Sequence, residues 1–450
     1  MDTLHGSFGR VTPLTQRAMS AAEAIALMKS GQAGANMILP YGNGRSYGDS
    51  CQAQDGILAD MRSLKRVIGF DTGSGLFTAE AGMLLSDIIA HAAPHGFFPP
   101  VVPGTQFVTL GGAIANDVHG KNHHRRGTFG CHIEQIELLK SDGKTYVCSP
   151  ASNARLFQAT IGGMGLTGII LSASLRLMRV PSLDVVETVT PFSGLAEYFE
   201  RAEAADDANE YAVAWIDQLA GGKRAGRGLL LTGNHAENGS RQAGQGGGRL
   251  SVPFQPPINV LNRPFLMAFN AAYRWKRGRD RGPHTTGYQG FFFPLDGVAD
   301  WNRLYGPKGL FQHQSVVPFE AARETVPVLL HAAREAGQGS FLTVLKRFGT
   351  LRSPAMLSFP RPGYTLTLDF PNRGARTLAL LKELDAITVA AGGAVNPYKD
   401  ARMSAATFGA SFPDWQRLEF MRDPAFLSSF WARTAVRLKP RDRGLAKAAE

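Results

Sequence analysis

The chain has 450 residues, 44% hydrophobic and 19% charged, the make-up of a globular protein long enough for two cores rather than one. Its net charge of +11 calls for an anionic partner (nucleic acid, lipid headgroup or phosphorylated substrate) without choosing among them. No apolar run approaches the ~18 residues of a spanning helix, the N-terminus lacks a secretory layout, and Cys51, Cys131 and Cys148 show no C-x-x-C spacing. A cytoplasmic location without disulfide framework or zinc site is therefore expected.

In chain order, a helix is predicted over residues 21–28, followed by short strands at 36–39, 56–59, 65–70 and 76–80. Residues 84–93 form an amphipathic helix, with Leu84, Leu85, Ile88, Ile89 and Ala92 on one face. Strands at 133–140 and 144–148, joined by Ser141-Asp142-Gly143, predict a hairpin. Between these elements lie three glycine-rich stretches: PYGNGRSYGD (40–49), PVVPGTQFVTLGGAIANDVHGKNHH (100–124) and IGGMGLTGII (161–170). Glycine recurs where backbone must approach another group closely, and bared N–H groups suit a phosphate. Gly42, Gly44 and Gly48 do not have G-x-G-x-x-G spacing and no capped helix follows them, which excludes a Rossmann NAD enzyme.

The glycine pattern ends at Val180-Pro181. Beyond it, strands at 211–216, 228–232, 312–317 and 364–369 and helices at 320–336 and 375–391 predict an α+β layout. Residues 233–257 have too few apolar side chains to pack and predict a mobile flap, with a second flexible loop near 276–289. Residues 273–281 read as irregular and strongly basic, with Tyr273 and Trp275 among the cations. As a solvated face they need no ligand; as a functional one they suit anionic headgroups. No nucleic-acid motif accompanies them, so none is expected to bind. A helix at 425–437 and a basic tail after Lys439 close the chain.

The three glycine-rich stretches, with LSASLRL following the third, resemble in order and wording the flavin-binding half of the vanillyl-alcohol oxidase, or para-cresol methylhydroxylase (PCMH-type), family. HGKNHH (119–124), VLKRFG (344–349) and KDAR (399–402) look most like members that oxidise a lipid-linked ribose. The resemblance implies a two-domain FAD-binding fold: residues 1–180 and 394–450 form the flavin domain, and 181–393 an inserted substrate domain of antiparallel sheet and helices. It implies FAD contacts from Tyr41, Gly42, Asn43, Gly44, Arg45, Ser46, Tyr47, Gly104, Thr105, Thr109, Gly111, Gly112, Ala115, Asn116, His119, Gly120, Asn122, Gly165, Gly168 and Ile169. Many relatives attach FAD through a histidine in an R-G-G-G-H-S turn. Arg45 stands at that place and cannot form the bond, so non-covalent FAD is expected.

His119, Lys121, His123 and His124 form the densest titratable cluster, but Gly120 and Asn122 speak against a metal-binding helix, and no metal is expected. By resemblance, Lys399 in NPYKDAR matches the active-site lysine and His119 lies near the flavin; either group can handle the proton. Lys121, Trp215, Gln312, Gln314, Lys346, Thr367 and Lys399 are carried over as substrate contacts. Thr367 stands where mycobacterial relatives often carry cysteine.

The implied reaction is FAD-dependent oxidation of the ribose 2-hydroxyl of a polyprenyl-phosphoryl-β-D-ribose to the 2-keto sugar. This is half of an epimerisation to arabinose for the cell envelope, completed by a separate NAD(P)-dependent reductase. A peripheral position at the anionic inner membrane surface goes with it. The alternatives are an alditol or aldonolactone oxidase acting on a soluble sugar with oxygen as acceptor, and a basic protein that binds RNA or lipid without redox chemistry.

Overall fold

The computed structural model describes residues 5–12, 15–244, 250–279 and 282–438. A small parallel sheet sets Ile57–Asp60 between Arg17–Ser20 and Ile38–Tyr41. Next to it an antiparallel sheet runs in the order Val67–Asp71, Leu76–Glu80, Ile169–Arg176, Ile133–Leu139, Thr145–Cys148. The predicted hairpin is its edge, with Leu139 paired to Thr145. Ile169–Arg176 is central because it is apolar on both faces: Ile170, Ala173 and Leu175 join one core, and Ile169 packs into another with Ile38 and Ala59.

The third sheet has eight strands in the order His284–Thr286, Val185–Phe192, Gly228–His235, Tyr211–Ile216, Thr343–Phe348, Gly363–Pro371, Leu310–Val317, Ala394–Val395. Every neighbouring pair is antiparallel. Helices Leu195–Ala208, Phe319–Glu335 and Ala375–Ala390 pack against one face, burying Val326, Leu329, Leu380 and Leu384 on Leu345, Leu366 and Leu368. Alternation of side chains along a strand turns the intervening residues to the other face. These are Gln312 and Gln314, Lys346, and Thr365, Thr367 and Asp369, all polar and all buried or nearly so. A sheet with one apolar and one polar buried face has a site on the polar side.

The C-terminal segment returns to the small parallel sheet. Phe408, Trp415, Phe430 and Trp431 pack with Leu39, Tyr41 and Leu58, and Ile38 N donates to Ala425 O at 2.9 Å. Arg433 clamps Asp49 and Asp400, at 2.7 Å each.

Four sequence expectations are corrected. The helix at 425–437 is interrupted: Ser429–Arg433 starts at the Ser428 cap and ends at Thr434, whose Oγ1 donates to Phe430 O, and a separate turn follows at Ala435–Arg437. Residues 273–277 are not irregular but are the last turn of a helix, Arg263–Arg277, capped by Asn262 with a proline in its first turn. The stretch 233–257 is not wholly a flap: the preceding strand runs on to His235, and Leu250–Ser251 pairs with Val298–Ala299. The loop near 276–289 contains strand His284–Thr286 and helix Tyr288–Phe292. The remaining expectations at 245–249, at 280–281 and in the tail from 439 lie outside the described residues.

Candidate active site

A cavity of about 650 Å³ lies between the glycine-rich loops and the polar face of the large sheet, within the ordinary range for a ligand site. Its first wall is backbone. Gly44 takes φ of +59° above the Tyr41 ring, and the Tyr41 hydroxyl donates to Gly6 O at 2.8 Å. Asn43 Nδ2 donates to Phe107 O at 2.7 Å, tying the first loop to the second. Gly104 faces open space, with nothing within 4 Å of where a Cβ would stand. Arg45 lies 5.7 Å from the Phe8 and Phe107 ring centroids, and its buried Nε has no partner.

The opposite wall is Trp215, Gln312, Gln314, Lys346 and Thr367 from four strands of the large sheet. Lys399 closes the space from the turn Pro397–Lys399. Its two neighbours fix it. The buried Tyr398 hydroxyl shares its one proton between Gly162 O and Leu357 O, at 2.9 and 2.8 Å. The Asp400 carbonyl passes so close to Gly48 that a Cβ there would stand 1.7 Å from it. Gly48 is therefore glycine because two chain segments meet at that point, not because of a dinucleotide turn. Lys399 Nζ then sits 5.9 Å from the Tyr47 ring centroid.

Of the residues expected to contact FAD or substrate, all reach the cavity except two. Asn122 is buried beside it and braces the HGKNHH loop, its amide donating to Pro100 O and Glu210 Oε1 at 2.8 and 3.0 Å. Ile169 points into the core under the parallel sheet, and the next residue, Ile170, reaches the cavity instead. The histidines also part company. His119 lines the cavity, His123 Nδ1 accepts from Gly349 N at 3.1 Å, and His124 meets Asp206 at 3.5 Å. No group of three metal-ligating side chains occurs among the described residues. Phe8, Asp296, Trp301 and Tyr398 line the cavity without having been singled out, and Tyr273, named only for the basic stretch, lines it as well. Asp369, behind the wall, was also missed, although its spacing of two from Thr367 puts it on the same face.

The electrostatics are those of a buried cationic site. Lys121 Nζ donates to Phe291 O and lies 4.3 Å from that ring's centroid; burial pushes it down to about 8, against the pull of Glu187. Lys346 is pushed down to about 7 by burial, with the charges of Lys399 and Lys121 adding to the effect. Burial lowers Lys399 as well, opposed by Asp369, whose own carboxyl burial raises. Gln312 Nε2 donates to Asp369 Oδ1 at 2.5 Å, while Asp369 Oδ2 has no partner. Burial, then the Lys346 and Lys399 charges, drives His119 well below the usual histidine range, so its ring is neutral. Asn396 Nδ2 donates to Gln314 Oε1 at 2.9 Å, which leaves Gln314 Nε2 to donate to His119 Nε2 at 3.0 Å. The free lone pair of that neutral imidazole is thereby occupied.

Residues 14–149 match the FAD binding domain family. Over 434 residues the chain is 34% identical to decaprenylphosphoryl-β-D-ribose oxidase of Mycolicibacterium smegmatis, covering 93% of this chain and 94% of that one. The chain belongs to this family of FAD-dependent oxidoreductases. Two further relatives match only part of the chain: L-gulonolactone oxidase of Mus musculus is 31% identical over 170 residues, 38% of each chain. Cytokinin dehydrogenase 10 of Oryza sativa is 29% identical over 151 residues, 32% of this chain. Family membership displaces the reading of a basic binding protein without redox chemistry. The cavity suits the family's cofactor: bare backbone at Gly104 and the unpartnered Arg45 Nε face a space bounded by aromatic rings.

Proposed function

We propose that this enzyme oxidises the 2-hydroxyl of a polyprenyl-phosphoryl-β-D-ribose to the 2-keto sugar, with FAD held non-covalently. One observation carries the reading: three half-buried lysines, Lys121, Lys346 and Lys399, line one cavity beside the glycine-rich loops. Buried cations are costly unless a counter-charge arrives, and a sugar phosphate brings one. Asp369 and Glu187 are the carboxylates whose charges act on these lysines.

FAD, when bound, supplies the acceptor for the hydride that leaves the carbinol carbon. The residues singled out along 41–47, 104–120 and 165–168 would hold it, and Arg45 would supply a positive charge for its phosphates. Lys346 and Lys121 bind the substrate phosphate, and Gln312, Gln314, Trp215 and Thr367 orient the sugar. Lys399, lowered by burial, takes the hydroxyl proton in its neutral form and becomes an ammonium beside Asp369. His119 is assigned a positioning role, because Gln314 already occupies its acceptor nitrogen.

The division into a flavin domain of 1–180 and 394–450 and a substrate domain of 181–393 belongs to the same proposal. So do a separate NAD(P)-dependent reductase that consumes the keto sugar and peripheral contact with an anionic membrane. No helix among the described residues is long and apolar enough to cross a membrane. The test is anaerobic mixing with a short-chain polyprenyl-phosphoryl ribose, xylitol and an aldonolactone in parallel, following flavin absorbance. Bleaching by the lipid-linked ribose alone is expected. Bleaching by the soluble sugars alone would replace this reading with an alditol or aldonolactone oxidase.

A further inference from the structure

The helix Arg263–Arg277 turns most of its apolar side outward, while polar groups share its inner side: Asn270 donates to Asp217 and Arg277 pairs with Glu187. Inward, Leu266 and Asn270 are buried and Tyr273 lines the cavity. Outward, Pro264, Ala268, Ala271 and Trp275 recur at helical spacing, all exposed. Met267 and Trp275 are 53% and 61% exposed. The apolar stripe of a helix ordinarily faces a core, yet among the described residues nothing covers this outer face.

The segment leading into the helix has the same character. Leu250, Phe254 and Ile258 are 67%, 69% and 70% exposed. Both parts join the cavity rim: Leu250–Ser251 pairs with Val298–Ala299, whose two residues line the cavity. Along the helix, Phe265 stacks on Phe269 and Phe269 on Tyr273, with centroids 6.4 and 6.0 Å apart, and Tyr273 meets Trp215 at 5.0 Å. An aromatic ladder thus runs from the exposed surface to the wall of the site.

The charge of this surface is one-sided. No Asp or Glu occurs between Glu237 and Asp280, while Arg263, Lys276 and Arg279 are exposed. The Arg279 guanidinium lies 3.8 Å from the Trp275 ring centroid. Tryptophan beside lysine and arginine is the arrangement that settles at a headgroup layer. A second copy of the chain would bring the same cations against these, which disfavours self-association.

We infer that the outer face of Arg263–Arg277, with residues 250–262, docks on an anionic lipid bilayer and presents the aromatic ladder to polyprenyl chains lying in it. The inference rests on the reading of a lipid-linked substrate. Docking would place the cavity mouth at the layer where a polyprenyl phosphate carries its sugar.

The test is co-sedimentation of the full chain with vesicles of phosphatidylcholine, alone or with phosphatidylglycerol. Two double variants are compared, Met267→Ser/Trp275→Ser and Lys276→Glu/Arg279→Glu. Binding to the anionic vesicles is expected, weak binding to the neutral ones, and a loss of at least roughly tenfold in partitioning for each variant, from the worth of two surface contacts apiece. Bleaching by a short-chain, water-soluble polyprenyl-phosphoryl ribose is expected to stay unchanged in both, which also shows that they fold. Equal partitioning of wild type and variants would overturn the inference. So would vesicle binding indifferent to phosphatidylglycerol, or self-association abolished by the variants without any vesicle binding. If wild type is bleached by the short-chain sugar but ignores vesicles, docking fails and the oxidase reading stands. Vesicle binding that the variants lose, without bleaching of the wild type, supports docking and overturns the oxidase reading.

Discussion

Replacing Lys399 by arginine separates a proton acceptor from a fixed cation. Both side chains are long and cationic, but the guanidinium titrates above ~12 and presents no neutral form near neutral pH. Burial lowers Lys399 beside Asp369, so its neutral form is populated well below the usual lysine range. Loss of a positioned general base costs ~10²–10⁴-fold, which corresponds to about 2.7–5.4 kcal/mol of barrier. Lys399→Arg and Lys399→Met are both expected to lose rate within that range, arginine doing no better than methionine. The assay is single-turnover flavin bleaching under anaerobic conditions, and substrate affinity should change little because Lys121 and Lys346 remain. Wild-type rate should rise with pH and level off above the lowered lysine pKa, since the neutral form is the active one. Retention of a tenth or more of the activity by Lys399→Arg, or a wild-type rate that falls as pH rises, would refute the base and make Lys399 an electrostatic clamp.

Asp369→Asn removes the carboxylate that opposes burial at Lys399 while leaving an acceptor for Gln312; the rising limb of the pH–rate profile should move to lower pH, and an unmoved profile would sever the pair. Lys346 has a folded pKa of about 7 against ~10.4 unfolded. The unfolded chain therefore binds more protons across that window, and this lysine's contribution makes stability rise with pH between the two values. Lys346→Met should raise the melting midpoint at pH 7 and lose that advantage towards pH 10, as read by thermal scans. Gly48→Ala would drive a Cβ to 1.7 Å from the Asp400 carbonyl and should cost about 3 kcal/mol, seen as a lower melting midpoint and weaker flavin retention. Gly104→Ala, with open space around it, should leave the melting midpoint unchanged. Thr367→Cys should place a maleimide-reactive thiol on the cavity wall, protected by bound substrate; labelling that substrate does not slow would put Thr367 away from the sugar.

Strands were legible because their signals are local, whereas the residues expected at the site came from the family resemblance. Strands at 76–80 and 211–216 match the structure to the residue, and the polar residues Gln312, Gln314 and Thr367 reach the cavity. Asp369 was equally available to a period-of-two reading from Thr367, and it was passed over only because the resemblance pointed to no role for it. Ile169 shows how thin the margin is: a one-residue slip along a strand exchanges the cavity face for the core. Phe8 and Trp301 could not have been found. They come from distant parts of the chain and reach the site by packing against each other, with centroids at 5.4 Å, and nothing in either local sequence announces it.

The helix Arg263–Arg277 failed to be read for a different reason. Helices are recognised by contrast between an apolar and a polar face, and this one puts apolar residues inward at Leu266 and outward at Met267 and Trp275. Cations crowded into the last turn, Arg274, Lys276 and Arg277, made 273–277 look irregular. An apolar stripe turned outward is what a water-facing element ordinarily avoids. The outward residues contribute nothing to the core, so folding alone does not account for Met267 and Trp275 where alanine or glutamine would serve the helix as well. A surface that gains from apolar side chains is one that leaves water when the protein works, and the cations beside it specify a negatively charged cover. Lys121 and Lys346 call for a negative charge inside the cavity, and Lys276 and Arg279 for one outside it. A phosphate joined to a hydrocarbon chain in an anionic layer meets both demands with a single molecule.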